Sequence, residues 1–231
     1  MIDEGSLVIV GAGVVGTNVA TLAIGHGIPV TLVDLSEDIL TQARQTVTQK
    51  LRHAQLMGVL PADRRRGELA TSTSPDDAAG AVAVIEAVSE LPETKAEVLA
   101  EVSAIARPGT TLISNTSYIP VDELANWVTR AGDLVGVHFI NRPYLVKMVE
   151  VVRGPRTSEA TMAGVTSLLE SLGREPLVIN DFPGFVVNKL LHQLINARQC
   201  SSRRMSRPPR WWTACSRGTS GIRRARCGPR S

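Results

Sequence analysis

Aromatic side chains are scarce in this chain of 231 residues, at 3% of the sequence, although 43% of it is hydrophobic. A core must therefore be built from Val, Leu, Ile and Ala, which suits a buried parallel sheet covered by helices. No hydrophobic run approaches the roughly 20 residues of a membrane span, and the N-terminal MIDEGS is acidic and polar where a secretory leader is basic and then apolar. These absences predict a cytoplasmic protein without a membrane span.

Cysteines are missing from most of the chain and occur only at Cys200, Cys215 and Cys227. Their spacings of fifteen and twelve residues, with no histidine after His192, match no zinc pattern, so no metal site is predicted. Acidic residues are also missing after Asp181, whereas arginines crowd segment 198–230. The formal net charge of +3 therefore arises from the C-terminal segment, and the body of the chain is acidic.

Strand and helix patterns alternate along most of the chain, with short connections. The predicted strands are LVIV, PVTLVD, AVAVIEAV, TTLIS, LVGVHF, KMVEVV and PLVIN. Helices are predicted after GAGVVG, from Ser36 towards Met57, from Pro92 to Pro108, from Val121 to Arg130, from Ser158 to Gly173, and from Asp181 and Pro183 to Asn196. This alternation predicts an α/β fold with a doubly wound, mostly parallel sheet over residues 1–183, followed by an incomplete helical segment over 184–196.

A glycine-rich turn, GAGVVG at residues 11–16, follows the first strand, and Asp34 ends the second strand twenty-three residues after Gly11. In a dinucleotide-binding turn the glycines allow a tight turn, close approach of a pyrophosphate and close packing of helix on sheet. Asp34 is placed to bind the ribose hydroxyls and repels a 2′-phosphate, and neither Leu35 nor Ser36 offers a compensating cation. The pattern predicts NAD rather than NADP, with contacts from Gly11, Ala12, Gly13, Val14, Val15, Gly16 and Asp34.

A histidine and a glutamate, His138 and Glu150, lie twelve residues apart in two neighbouring strand patterns. An ionised carboxylate inside an apolar strand costs several kcal/mol by order of magnitude unless a partner binds it, and an imidazole is the obvious partner. If the two strands fold back on each other, Glu150 faces one ring nitrogen of His138 and the other nitrogen can accept a proton. The pair predicts a general base. A lone histidine after a strand can instead be a satisfied core or surface residue.

The motifs together resemble the NAD-binding domain of the 3-hydroxyacyl-CoA dehydrogenases. The resemblance covers about residues 5 to 195, in family order and spacing, through VIVGAGVVG, VTLVDLSEDIL, VIEAVSELPETK, ISNTS, GVHFIN, MVEVVRGPRTS and DFPGFVVNKLL. It implies a Rossmann domain, a role in fatty acid metabolism and NAD-dependent oxidation of an L-3-hydroxyacyl-CoA, or the reverse reaction. It also implies a homodimer if the C-terminal helical domain is complete.

The resemblance implies roles for individual residues. His138 would be the catalytic base and Glu150 its orienting acid, while Ser117 and Asn188 would hold the 3-oxygen of the substrate and the neighbouring carbonyl. The cofactor contacts would be Glu90, Lys95, Ser117 and Asn141. On spacing alone, Ser117 can be a turn residue, Asn188 an ordinary helix position and Lys95 a solvated surface charge.

Two departures from the family pattern leave the substrate open. Residues 141–144 read Asn-Arg-Pro-Tyr where the family usually has Asn-Pro, which is closer to relatives that act on hydroxy acids without CoA, such as carnitine or gulonate. Helix positions that can touch the CoA nucleotide hold Lys50 and Met57, and only the lysine can serve a phosphate. Three functions stay open: an acyl-CoA dehydrogenase, a dehydrogenase of a small 3-hydroxy acid, or an NAD-binding remnant without turnover.

The segment 197–231 is rich in Arg, Pro, Trp, Cys and Ser and has no periodicity. Such a composition is typical of GC-rich coding DNA translated in the wrong frame, and a shifted frame from Arg210 can encode VVDRVLARHLGHPPG, which fits the second domain of the family. We therefore predict a frameshift near Ala197, which resequencing of the gene tests. The rival hypothesis is a basic arm that binds nucleic acid, with Trp211 and Trp212 stacking on bases.

Overall fold

The computed structural model describes residues 6–61, 64–140 and 142–202, with side chains to residue 196. Within these ranges the strands form one eight-stranded sheet in the order β3-β2-β1-β4-β5-β6-β7-β8. The strands are β1 (Leu7–Val10), β2 (Val30–Val33), β3 (Leu69–Ser72), β4 (Ala83–Glu86), β5 (Thr111–Ser114), β6 (Leu134–Phe139), β7 (Met148–Arg153) and β8 (Glu175–Asn180). All neighbours are parallel except β6 and β7. The predicted doubly wound, mostly parallel sheet is confirmed.

The connections between strands are mainly helical, as right-handed parallel crossovers require. The helices are α1 (Val14–Gly25), α2 (Glu37–Leu56), α3 (Pro92–Ile105), α4 (Val121–Leu124), α5 (Glu159–Ser171) and α6 (Val186–Ser202). The predicted N-caps of α2 and α5 are present, because the hydroxyls of Ser36 and Ser158 accept hydrogen bonds from the backbone amides of Ile39 and Thr161.

Two aliphatic cores lie on the two faces of the sheet. On one face α1, α2 and α5 pack against residues such as Ile9, Ile113 and Val137. On the other face α3 and α4 pack against residues such as Val84 and Leu112. The strand order reverses between β1 and β4, and in open α/β sheets ligands bind outside the carboxyl ends of the strands at such a point.

Three details differ from the sequence expectations. The strand β3 was not predicted, because this edge strand is only partly buried and LATS has little apolar character. The helix predicted from Val121 to Arg130 ends at Leu124 and continues as turns. The predicted start signal of the last helix, Asp181, instead caps α4: its carboxylate accepts hydrogen bonds from the backbone amides of Val121 (2.9 Å) and Asp122 (2.8 Å).

The chain divides into two compact units, Met1–Phe185 and Val186–Ser231. In the second unit, α6 runs six residues beyond Asn196, where the sequence pattern predicted its end. Its leucines Leu190, Leu191 and Leu194 are exposed. Residues 203–231 lie outside the described residues. The frameshift and nucleic-acid hypotheses concern segment 197–231, so most of the segment on which they depend is not described. In the described ranges no helix is both long enough and apolar enough to cross a membrane.

The histidine at the C-terminal end of α1, His26, gives the fold a pH dependence. Burial lowers the pKa of this imidazole below its ordinary 6.5, and the charges of Arg174 and Arg64 lower it further, against a hydrogen bond to the Leu22 carbonyl. The unfolded chain therefore takes up a proton near pH 6.5 that the folded chain does not, so stability falls as the pH drops through that value.

We expect the melting temperature of the wild-type protein to be lower at pH 5.5 than at pH 7.5. In His26→Gln this decrease in melting temperature should be smaller by a few degrees. Thermal unfolding of both proteins at the two pH values measures this difference. The exposed His53 provides the control, because His53→Gln should leave the fall unchanged. An equal fall in the His26 variant and the wild-type protein would contradict the assignment.

Candidate active site

The glycines of the turn between β1 and α1 have three different surroundings. Gly11 has a φ of +105°, and a Cβ there would lie 2.6 Å from the carbonyl oxygen of Ala87. A Cβ on Gly16 would lie 1.8 Å from the carbonyl oxygen of Gly11. Apart from its two chain neighbours, no atom of the described residues lies within 4 Å of a Cβ built on Gly13. Packing within the protein thus requires glycine at 11 and 16, whereas Gly13 leaves open space for a ligand.

The N-terminus of α1 meets this open space. Gly13 is the N-cap and provides no side-chain cap, and the first turn contains no acidic residue. The Val14 side chain beside it is 68% exposed. Uncapped amides and the positive end of the helix dipole favour an anion, so the turn fits the pyrophosphate of a dinucleotide.

The carboxylate of Asp34 is held beside the same turn. Its Oδ2 accepts a hydrogen bond from the backbone amide of Ala12 at 2.9 Å, and its Oδ1 accepts one from the amide of Ser36 at 3.3 Å. The residue also lines a cavity of about 240 Å³, together with apolar Val33, Val98 and Val102 and acidic Glu97 and Glu101. None of the described residues lining this cavity is basic. The cavity suits an adenosine with a free 2′-hydroxyl, and it disfavours a 2′-phosphate.

A charged cluster lies at the carboxyl ends of β4 and β5. The Lys95 ammonium is 2.7 Å from Glu86 Oε1 and 3.1 Å from Glu90 Oε2. Lys95 is fully buried, so the alternative of a solvated surface charge is wrong. Glu90 also accepts a hydrogen bond from the backbone amide of Ser117 at 2.6 Å. The structure therefore joins three of the predicted cofactor residues, Glu90, Lys95 and Ser117, although their contact with the cofactor stays a prediction.

The predicted pair of His138 and Glu150 lies on β6 and β7. These strands pair antiparallel with His138 directly opposite Glu150, and the Nδ1 of the imidazole is 2.7 Å from Glu150 Oε2. The Glu150 side chain is fully buried and that of His138 is 11% exposed. An ionised carboxylate only accepts hydrogen bonds, so Nδ1 carries the hydrogen and Nε2 has the lone pair.

Neighbouring side chains fix the position of the histidine. The Asn115 side chain accepts a hydrogen bond from the backbone amide of Phe139 at 3.2 Å, which links the end of β5 to β6. The buried ring of Phe185 lies 5.9 Å from the His138 ring, centroid to centroid. Phe185 has a φ of +46°, and Asp181 holds the loop before it against α4. The imidazole is therefore packed in place before any ligand binds.

The remaining predicted residues are less closely defined. Asn188 lies in the first turn of α6, in the second compact unit, and its role stays a prediction. Asn141 lies outside the described residues.

Lys50, which we expected to serve a phosphate, donates a hydrogen bond from Nζ to Thr17 Oγ1 at 2.9 Å. Burial lowers the pKa of Lys50, and the charge of Arg142 lowers it further. Met57 is the half-exposed C-cap of α2.

Two contributors to the site were missed by the sequence reasoning, Glu86 and Phe185. The signal for Glu86 was present, because a carboxylate inside the apolar run AVAVIEAV needs a buried partner just as Glu150 does. No such signal marks Phe185, whose place beside His138 depends on the tertiary fold.

The fold and the glycine turn together define a dinucleotide-binding domain whose cofactor cleft suits NAD. The chain belongs to the family described as 3-hydroxyacyl-CoA dehydrogenase, NAD binding domain, whose model matches residues 6–182. It is therefore an oxidoreductase of the NAD-dependent 3-hydroxyacyl-CoA dehydrogenase type, and NAD is its cofactor. This confirms the predicted family, cofactor and enzyme class.

Solved structures of similar proteins agree with this assignment. The (S)-3-hydroxybutyryl-CoA dehydrogenase PaaH1 of Ralstonia eutropha is 32% identical, with a TM-score of 0.81, and the match covers 88% of this chain and 73% of that one. FadB2 of M. tuberculosis is 31% identical, with a TM-score of 0.79 and coverages of 87% and 71%. An NAD⁺-dependent dismutase, 5-formyl-3-hydroxy-2-methylpyridine 4-carboxylic acid 5-dehydrogenase, is 27% identical, with a TM-score of 0.83 and coverages of 92% and 69%.

Proposed function

We propose that the protein oxidises an L-3-hydroxyacyl-CoA, such as 3-hydroxybutyryl-CoA, to the 3-ketoacyl-CoA, or catalyses the reverse reaction. The observation that carries this proposal is the imidazole of His138, held by Glu150 at the carboxyl edge of the sheet that also presents the glycine turn. Two of the similar structures support it, since PaaH1 is named as a 3-hydroxybutyryl-CoA dehydrogenase and the dismutase as NAD⁺-dependent.

The chemistry follows from the roles of these side chains. NAD, when bound, supplies the hydride acceptor. Nε2 of His138 removes the proton of the 3-hydroxyl group, and the Glu150 carboxylate stabilises the imidazolium that forms. Ser117 and Asn188 would orient the 3-oxygen and the neighbouring carbonyl, which fixes the reacting geometry. In the reverse direction His138 returns the proton to the 3-oxygen.

A second substrate class is favoured by one observation. Arg142 is exposed four residues after His138, where the resemblance predicts a proline, and an arginine can bind a substrate carboxylate directly. The similar dismutase is named for a carboxylic acid without CoA. A small 3-hydroxy acid is therefore the alternative substrate, and an NAD-binding domain without turnover is the third possibility.

Assays of NAD reduction with 3-hydroxybutyryl-CoA, carnitine and gulonate separate these possibilities. We expect the highest kcat/KM with 3-hydroxybutyryl-CoA. Higher kcat/KM with either small hydroxy acid would favour the alternative substrate. Binding of NADH without turnover on any of the three would contradict the proposed activity. Three further expectations stay predictions in addition to the proposed activity: a homodimer, a cytoplasmic location and a role in fatty acid metabolism.

A further inference from the structure

Three charged side chains, Glu86, Lys95 and Glu90, form a buried group that we call the Glu86 cluster. Lys95 and Glu86 are 0% and 1% exposed, and the Glu90 side chain is 27% exposed. The single ammonium bridges both carboxylates, at 2.7 Å from Glu86 and 3.1 Å from Glu90. Buried charged side chains are rarely found without a partner of opposite charge. The net charge of the Glu86 cluster therefore determines its electrostatic effect on a neighbouring group.

Both carboxylates of the Glu86 cluster are surrounded by donors. Besides Lys95, Glu86 accepts hydrogen bonds from the Val88 amide at 2.9 Å and the Ser114 hydroxyl at 2.6 Å. Glu90 accepts hydrogen bonds from the Thr116 hydroxyl and the Ser117 amide, both at 2.6 Å. An ionised carboxylate can accept hydrogen bonds from all of these groups, so the surroundings of Glu86 and Glu90 suit two negative charges. Two carboxylates and one ammonium leave one net negative charge.

The fold places this charge on one side of the cofactor cleft. Glu86 is the register partner of Val10, the residue before Gly11, so the cluster lies next to the glycine turn on the β4 side. Asp34 marks the adenosine end of the cleft on the β2 side, and the pyrophosphate belongs at the N-terminus of α1. The nicotinamide end of the dinucleotide therefore extends towards β4 and the Glu86 cluster.

The nicotinamide ring carries a positive charge in NAD⁺ and none in NADH. In a partly buried site of reduced dielectric, a net negative charge near the ring would act on that difference. We propose that the Glu86 cluster sets the relative affinity for the two redox states of the cofactor, by favouring NAD⁺ over NADH. This inference rests on the proposed function in one respect, because both assume that the nicotinamide end of the cofactor lies towards β4. It does not require turnover on any substrate.

The test compares the ratio of the dissociation constants for NAD⁺ and NADH in the full chain, measured by calorimetry without substrate. In Glu90→Gln we expect NAD⁺ to weaken relative to NADH by roughly ten-fold, because one negative charge is lost. Glu93→Gln, an exposed change in the first turn of α3, should leave the ratio unchanged. Glu90→Asp keeps the charge and should restore most of the ratio.

A structural role for Glu90 alone gives a different result. Loss of its bond to the Ser117 amide would weaken NAD⁺ and NADH equally and leave their ratio unchanged, which would overturn the proposal. If Glu90→Gln does not fold, Tyr118→Lys replaces it. Tyr118 is 51% exposed, its backbone amide lies 3.3 Å from Glu90, and Tyr118→Gln is the neutral control.

Compared with Tyr118→Gln, Tyr118→Lys should weaken NAD⁺ binding relative to NADH binding by about three-fold. The positive charge of the lysine offsets part of the negative charge of the Glu86 cluster. An unchanged ratio in this pair would also overturn the proposal. A shifted ratio in a protein without turnover would instead leave the inference standing while the proposed function fails.

Discussion

Replacing His138 with glutamine lowers kcat by roughly two to four orders of magnitude, because the group that removes the hydroxyl proton is lost. Binding of NADH should be retained, since the glycine turn follows β1 and Asp34 follows β2, and neither strand carries His138. Glutamine approximates the size of the imidazole, so the packing against Phe185 is largely preserved. Steady-state kinetics and a separate NADH titration measure the two effects.

The matched control for this change is His53→Gln, because His53 is exposed in the last turn of α2. Its kcat should equal that of the wild-type protein. Loss of NADH binding together with activity in the His138 variant would indicate a structural histidine and contradict its role as a base. Full activity in that variant would remove the mechanism proposed for this site.

The His138 and Glu150 pair shows why part of the site could be predicted from sequence. A carboxylate in an apolar strand needs a buried partner, and the two strand patterns are joined closely enough to become neighbours. The structure brings the two groups to 2.7 Å. Glu86 carries the same signal in AVAVIEAV, but its partner Lys95 lies on the following helix, and the sequence pattern did not reveal which face of that helix is buried.

Other features depend on long-range contacts that no local pattern reports. Asp181 looks like the start of α6, yet it caps α4, about sixty residues earlier in the chain. The edge strand β3 forms because β2 offers a free edge, although LATS is a weak strand sequence. The aliphatic composition of the core and the N-caps of α2 and α5 were predictable, since composition and local capping residues determine them.

Adding one methyl group to Gly16 should have the largest effect on the cofactor turn. The Cβ in Gly16→Ala would lie 1.8 Å from the carbonyl oxygen of Gly11, so α1 must move away from the strand that it follows. Overpacking against backbone destabilises the fold by about 3 kcal/mol. The displaced helix N-terminus should also weaken NADH binding by roughly a hundred-fold or more. Urea unfolding and an NADH titration measure these two losses.

Gly13→Ala is the matched variant, because it places the same methyl group three residues away, where the described part of the chain, apart from the two neighbouring residues, has no atom within 4 Å. We expect its stability without cofactor to change by less than about 1 kcal/mol, since only the N-cap preference is altered. NADH binding should nevertheless weaken by at least about ten-fold, because the methyl group occupies the space that the pyrophosphate requires. Equal NADH affinity in Gly13→Ala and the wild-type protein would show that the dinucleotide does not approach the backbone at Gly13. Loss of stability in both variants would mean instead that the whole turn is close-packed, and that a pyrophosphate has no room there.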